Sequence, residues 1–164
     1  MDDHSLYDED ILIWSEQQAA ALRSLASRRD LPNELDLANV IEEIEDVGRS
    51  EFHTVESLVE TILVHLILLW ADPDAPAARG WIAEIAAWDA ALRRRTSPSM
   101  RSRLDLASLW REAQRLATLK LAVWDEAKSA AVARLAGTGC PLPAQEIPMG
   151  DLDIRAVVAR ISPA

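Results

Sequence analysis

Cysteine is all but absent: Cys140 stands alone in a chain of 164 residues. A single thiol excludes an intrachain disulfide and fits a reducing compartment. Strand-building patterns are missing as well. Val, Ile, Thr and Tyr never gather in the alternating runs that half-buried strands require, so no substantial sheet is expected. Positive charge is in short supply, with 17 Lys and Arg against 27 Asp and Glu and a formal net charge of −10. That balance argues against a general binder of nucleic acid or of anionic membranes, both of which call for a basic surface. Long apolar runs are lacking too. The most apolar one, Ile62–Trp70, has His65 inside it and falls far short of the ~20 residues of a membrane span. The opening Met-Asp-Asp-His is acidic where a signal peptide is basic, and a cytoplasmic location is expected. No Gly-rich phosphate loop, nucleophile elbow or zinc-ligand spacing occurs. Nor is there an internal repeat or a low-complexity segment.

What the chain does have is Ala and Leu in excess, six Trp and eight Pro. The length suits one domain with a real core. Proline removes a backbone donor and clashes inside helices, so it marks their ends. Between the prolines, helices are expected at about Asp8–Arg28, Asp36–Trp70, Pro76–Thr96, Pro98–Ala136 and Asp151–Ile161. Asp8 and Asp36 are candidate N-caps, and Ser97-Pro98 offers a Ser cap followed by Pro at the first helical position. Gly137 stands where a helix C-terminus needs a left-handed residue. From there to Gly150 the chain reads as an irregular Pro- and Gly-containing stretch.

Apolar residues recur at helical spacing. Trp81, Ile85, Trp88 and Leu92 form one stripe, and Leu106, Leu109, Trp110, Ala113, Leu116, Ala117, Leu121, Trp124, Ala127, Ala131 and Leu135 form another. Leu37, Ile41, Ile44, Gly48, Val55, Leu58, Val59, Ile62, Leu66 and Leu69 share a third. The phase of this last stripe survives Gly48, which favours one continuous or mildly kinked helix of about 50 Å over a break there. Stripes of this kind need partners. The expected fold is all-α, a single domain built as a bundle of four main helices plus a short C-terminal helix.

Polar residues at apolar wheel positions are the candidates for function. Lys120 lies inside the stripe of the fourth segment; Glu51 lies inside that of the second, with Glu45 and His65 at its two edges. Lys120 either runs its methylenes along the core edge with the ammonium in solvent, or pairs with Glu45 or Glu51. Glu42, Glu45, Glu51, His65 and Lys120 together form the candidate cluster. His65 reads first as a hydrogen-bonded core-edge residue. The second segment opens with Glu34, Asp36, Glu42, Glu43, Glu45, Asp46 and Glu51, which the helix dipole favours near an N-terminus. A di-iron bundle would need Glu-x-x-His on two helices; none occurs here, and neither a metal nor a cofactor is expected. Arg93, Arg94, Arg95, Arg101 and Arg103 crowd the turn around Ser97-Pro98-Ser99 with no acid among them. The first three suit a helix C-terminus, and the group as a whole is a candidate partner-docking site. Cys140 is expected to be exposed, with no basic neighbour to activate its thiol.

Tyr7-Asp8-Glu9-Asp10, Trp14, the run Asp36-Leu37-x-Asn39-x-Ile41-Glu42-Glu43-Ile44-Glu45-x-x-Gly48-Arg49-Ser50, and His65-Leu66 through Trp70 resemble a bacterial family. It is the domain-of-unknown-function family number twenty-nine, and the likeness runs from about Tyr7 to Cys140. The resemblance implies a small, intracellular, all-helical protein with no assigned activity, so it transfers no catalytic residue. Glu42, Glu43, Glu45, Gly48, Arg49 and His65 match its motif positions. Leu69 departs from it, where many relatives have a basic residue, and so does the Pro-rich segment after Cys140. The function expected from all of this is a non-enzymatic helical interaction module, self-associating or binding a protein partner, with neither membrane nor nucleic acid as its target. The alternative is an enzyme or metal-binding protein that uses the acidic/His/Lys cluster.

Overall fold

A computed structural model of the chain describes residues 5–26, 31–32, 34–147 and 152–162. Among these the secondary structure is entirely helical, with no strand. The α-helices are α1 (Leu6–Glu9), α2 (Ile11–Leu25), α3 (Leu37–Ala71), α4 (Ala78–Arg95), α5 (Pro98–Arg103), α6 (Leu106–Ala122), α7 (Glu126–Ala133) and α8 (Ile154–Arg160); a 3-10 turn spans Ala144–Glu146. Four of them, α2, α3, α4 and α6, are long.

Aspartate explains where the helices start. Asp10, Asp105, Asp125 and Asp153 each accept a hydrogen bond from the backbone N–H three residues on, at 3.0–3.2 Å. A carboxylate can do this only from just outside the helix, where it satisfies an amide that has no partner within it. Two of the expected segments are therefore divided. The first breaks at Asp10, which rather than Asp8 caps the long N-terminal helix, while Asp8 lies within α1 and accepts from the Ser5 hydroxyl. Arg28, its expected end, lies outside the described residues. The fourth segment breaks twice, at Asp105 and at Asp125, giving α5, α6 and α7. Its stripe, from Leu106 to Leu135, keeps phase through the break at Asp125, which is why periodicity alone joins α6 to α7. Asp36 caps α3 through the Asn39 amide at 3.2 Å. Ser97 caps α5 through the Met100 amide at 3.3 Å, with Pro98 at the first helical position. Gly137 adopts the left-handed conformation at φ 83°, though it closes the turns that follow α7 rather than the helix end itself. Asp153 begins the last helix; Asp151 lies outside the described residues.

The chain divides into two compact units, Met1–Val55 with Thr96–Arg103, and Glu56–Arg95 with Leu104–Ala164. α3 contributes residues to both and is uninterrupted at Gly48. In the first unit Gly48 is buried where α2 comes close. A Cβ built there meets the Ser15 hydroxyl oxygen at 2.0 Å and the Leu12 Cα at 3.3 Å. The missing side chain is what admits Ser15, whose own hydroxyl turns back to the Leu12 carbonyl at 2.9 Å. Asp10 joins α2 to α5 by accepting from the Ser99 hydroxyl at 2.7 Å and the Ser99 amide at 3.3 Å. Arg103 grips both carboxylate oxygens of Glu16, at 2.5 and 3.0 Å.

The second unit is organised around the C-terminal half of α3. Every residue from Ile62 to Leu69 is buried, His65 among them, the signature of a helix covered on all sides. α6 and α7 add Trp110, Ala113, Ala117, Leu121 and Val132 to this core; the segment after Gly137 adds Leu142, Ile147, Val157 and Ile161. Trp110 donates to the Thr138 hydroxyl at 3.2 Å and Gln114 donates to the Leu135 carbonyl at 3.0 Å, so the buried polar atoms of α6 are partnered. Cys140, expected to be exposed, is half-buried here, and burial pushes its thiol pKa up. By length and composition α3 is apolar enough to cross a membrane, because an average over the helix tolerates the scattered polar residues that cut short any uninterrupted run. Over half of that apolar window is buried inside the protein itself.

Gly48→Leu is expected to cost on the order of 1–3 kcal/mol through overpacking, read as a lower Tm in thermal unfolding. An unchanged Tm would remove the close approach of α2 from the account.

Candidate functional site

His65 is the one histidine in the fully buried stretch of α3. Buried polar groups need partners, and this one finds them on two helices. Its Nδ1 lies 2.9 Å from the Thr61 carbonyl one turn earlier. A carbonyl only accepts, so Nδ1 carries the proton and the neutral ring turns the lone pair of Nε2 outward. Nε2 lies 3.4 Å from a carboxylate oxygen of Glu84 on α4. Trp88, one turn further along α4, packs edge-on against the imidazole with ring centroids 4.7 Å apart. Lys120 of α6 is near enough for its charge to act on the ring.

Burial holds the His65 pKa below the usual histidine value, and the Lys120 cation lowers it further, against the opposing pull of the Thr61 carbonyl and Glu84. At neutral pH the ring is a neutral acceptor beside an exposed carboxylate. Protonation turns Nε2 into a donor to Glu84, at the cost of burying a cation. The set can hold or release one proton at a half-open edge of the core. Among the described residues no group of three or more His, Cys, Asp and Glu gathers as metal ligands.

The structure brings together only part of the expected cluster. His65 and Lys120 belong to the second unit and interact electrostatically; Glu42, Glu45 and Glu51 belong to the first. Lys120 is exposed, with its ammonium in solvent rather than paired to Glu45 or Glu51. Glu45 instead binds Arg23 at 2.5 Å and approaches Arg49 at 3.9 Å; Arg49 also pairs with Asp46. Glu42 is exposed and Glu51 half-buried. The arginine group divides as well. Arg93, Arg94 and Arg95 form the exposed last turn of α4 in the second unit, whereas Arg101 and Arg103 belong to α5 in the first. Arg103 is committed to Glu16, and the Nε of Arg101 is buried without a hydrogen-bond partner. Glu84 and Trp88 are the site residues that sequence reasoning missed. In the sequence Trp88 belongs to an apolar stripe, and Glu84, one turn before it, carries no sign that His65 is its neighbour.

The profile of the family described as Domain of unknown function DUF29 matches residues 6–132. The chain belongs to this family. It is also similar over its whole length to a protein of known structure, an α-helical protein of unknown function from Rhodospirillum rubrum. The two share 39% identity at a TM-score of 0.84, over 98% of this chain and 99% of that one. No curated protein matches the chain. The DUF29 match takes in α1 to α6 and most of α7, and with them Gly48, His65, Glu84, Trp88 and Lys120.

The depressed His65 pKa gives a signed expectation for stability. The unfolded chain titrates this histidine near 6.5 and the folded protein does so lower, so the unfolded state binds more protons between the two values. Stability is retained above about pH 6.5 and falls as the pH drops toward the folded value. His65→Gln should flatten the fall in Tm between about pH 7 and pH 5.5. Equal slopes for the two proteins would show that His65 does not couple to folding.

Proposed function

We propose that this DUF29 protein is a helical interaction module that associates with a second copy of itself. The observation that carries the reading is an apolar corner of the second unit. Leu119 is 55% exposed, Val123 82% and Trp124 57%, all within one turn of the junction between α6 and α7. Scattered exposed aliphatics are ordinary, but a large aromatic beside two of them is the composition of a binding patch. Trp110 is sealed in the core while Trp124 stands in water, which bears on why so small a chain carries six Trp. The net charge of −10 supports a protein partner over nucleic acid or an anionic membrane, and the lone cysteine supports a cytoplasmic location. Chemistry at an acidic/His/Lys cluster has less support, because its glutamates and its His65–Lys120 pair belong to different units.

The same reading takes the four long helices to close as a bundle and the chain to behave as a single domain. The stripes of α3, α4 and α6 support the first part. Residues of α3 in both units support the second, since half of one helix does not melt without consequence for the rest. Calorimetry is then expected to give one transition whose measured enthalpy equals its van't Hoff value. Two resolved transitions would separate the domains.

Light scattering across a concentration series tests the association. The expected result is a mass that rises from monomer to dimer with the wild-type chain and stays monomeric with Trp124→Glu. A monomer at every concentration, or a dimer indifferent to that substitution, overturns the reading.

A further inference from the structure

α8 packs back onto the second unit beside the end of α3 and the start of α4, and leaves a groove of about 440 Å³ lined by Leu69, Pro73, Ile82, Ile154, Arg155, Val158 and Ala159. This volume falls in the range of small-molecule sites. Apart from Arg155 the described lining is aliphatic: among the described residues it has no carboxylate, amide, hydroxyl or aromatic side chain. Arg155 makes no ion pair and no hydrogen bond among the described residues. Arg23, Arg49, Arg103, Arg115 and Arg160 each hold a carboxylate, whereas Arg155, like the exposed Arg93 and Arg94, holds none among the described residues. The Arg155 guanidinium is thus available to a ligand at the edge of an apolar groove, with Ile82 at its rim 45% exposed.

We infer that this groove is a binding site for a hydrocarbon-chain carboxylate, with the chain along the aliphatic walls and the carboxylate on Arg155. The guanidinium presents two parallel N–H groups matched to a carboxylate. The choice of an acyl chain over a peptide rests on the rest of the lining. An extended peptide brings a backbone donor and acceptor with every residue, and each needs a partner when buried; among the described residues no lining side chain but Arg155 offers one. A saturated chain needs none and gains by leaving water. The site owes nothing to the apolar corner at Trp124, and its test is separate.

Isothermal titration with decanoate, below its micelle-forming concentration, tests the site on the full chain, with decanol as the uncharged comparison. The wild-type protein is expected to bind decanoate at least tenfold more tightly than decanol. Arg155→Gln should remove that preference and leave decanol binding unchanged. Ile82→Glu, an exposed position where folding can be confirmed by circular dichroism, should abolish decanoate binding by placing a like charge at the rim. The inference is overturned if the wild type fails to bind decanoate, if decanol binds equally well, or if both variants bind decanoate as the wild type does. A peptide with an apolar C-terminus that binds while decanoate does not would overturn it in favour of a protein ligand.

Discussion

A helix that is apolar around its whole circumference has to be wrapped, and from Ile62 to Leu69 α3 is such a helix. Most of the second unit follows from that constraint. One-sided stripes on α4 and α6 each cover part of the circumference. The segment after Gly137, irregular in backbone and short of helix, delivers Leu142, Ile147, Val157 and Ile161 to what remains. The same constraint isolates His65. Surrounded by aliphatic neighbours along its own helix, its ring can satisfy itself only through the Thr61 carbonyl behind it and whatever α4 supplies in front.

The two halves of α3 solve different problems. Toward its N-terminus the helix is amphipathic and acidic, its carboxylates are answered by Arg23 and Arg49, and the exposed side chains of Val40 and Val47 show how little of it is enclosed. The match of the DUF29 profile from residue 6 to 132 spans both halves. The family's pattern therefore covers the Gly48 crossing and the His65 environment alike, which belong to different units.

Much of the architecture was legible in the residues. The all-helical class, the unbroken passage of α3 through Gly48, the Ser97-Pro98 start of α5 and the left-handed Gly137 all follow from rules that act within a few positions. The missed breaks at Asp10, Asp105 and Asp125 have one cause. An aspartate within a stripe-bearing stretch looks the same on a helical wheel whether it points to solvent or captures a backbone amide, and only the second ends a helix. The site was half legible for a related reason. His65 and Lys120 each violate their own stripe, which a single helix reveals. Glu84 and Trp88 violate nothing on α4, and their part depends on the register between α3 and α4. No single stretch of chain encodes that register.

Asp10 holds Ser99 across 89 positions of sequence, and that link bears on how the molecule is made. The first unit is discontinuous: its opening 55 residues are completed by Thr96–Arg103, and α4 with the rest of the chain between them belongs to the other unit. On a ribosome the N-terminal helices emerge well before the short α5 that secures them, and the closure spans a loop whose entropy cost grows with its length. Contacts of such long sequence separation slow folding. In a vectorially synthesised chain they also fix an order, in which α2 waits, with its Asp10 and Glu16 carboxylates not yet met by Ser99 and Arg103, until the polypeptide has passed residue 103.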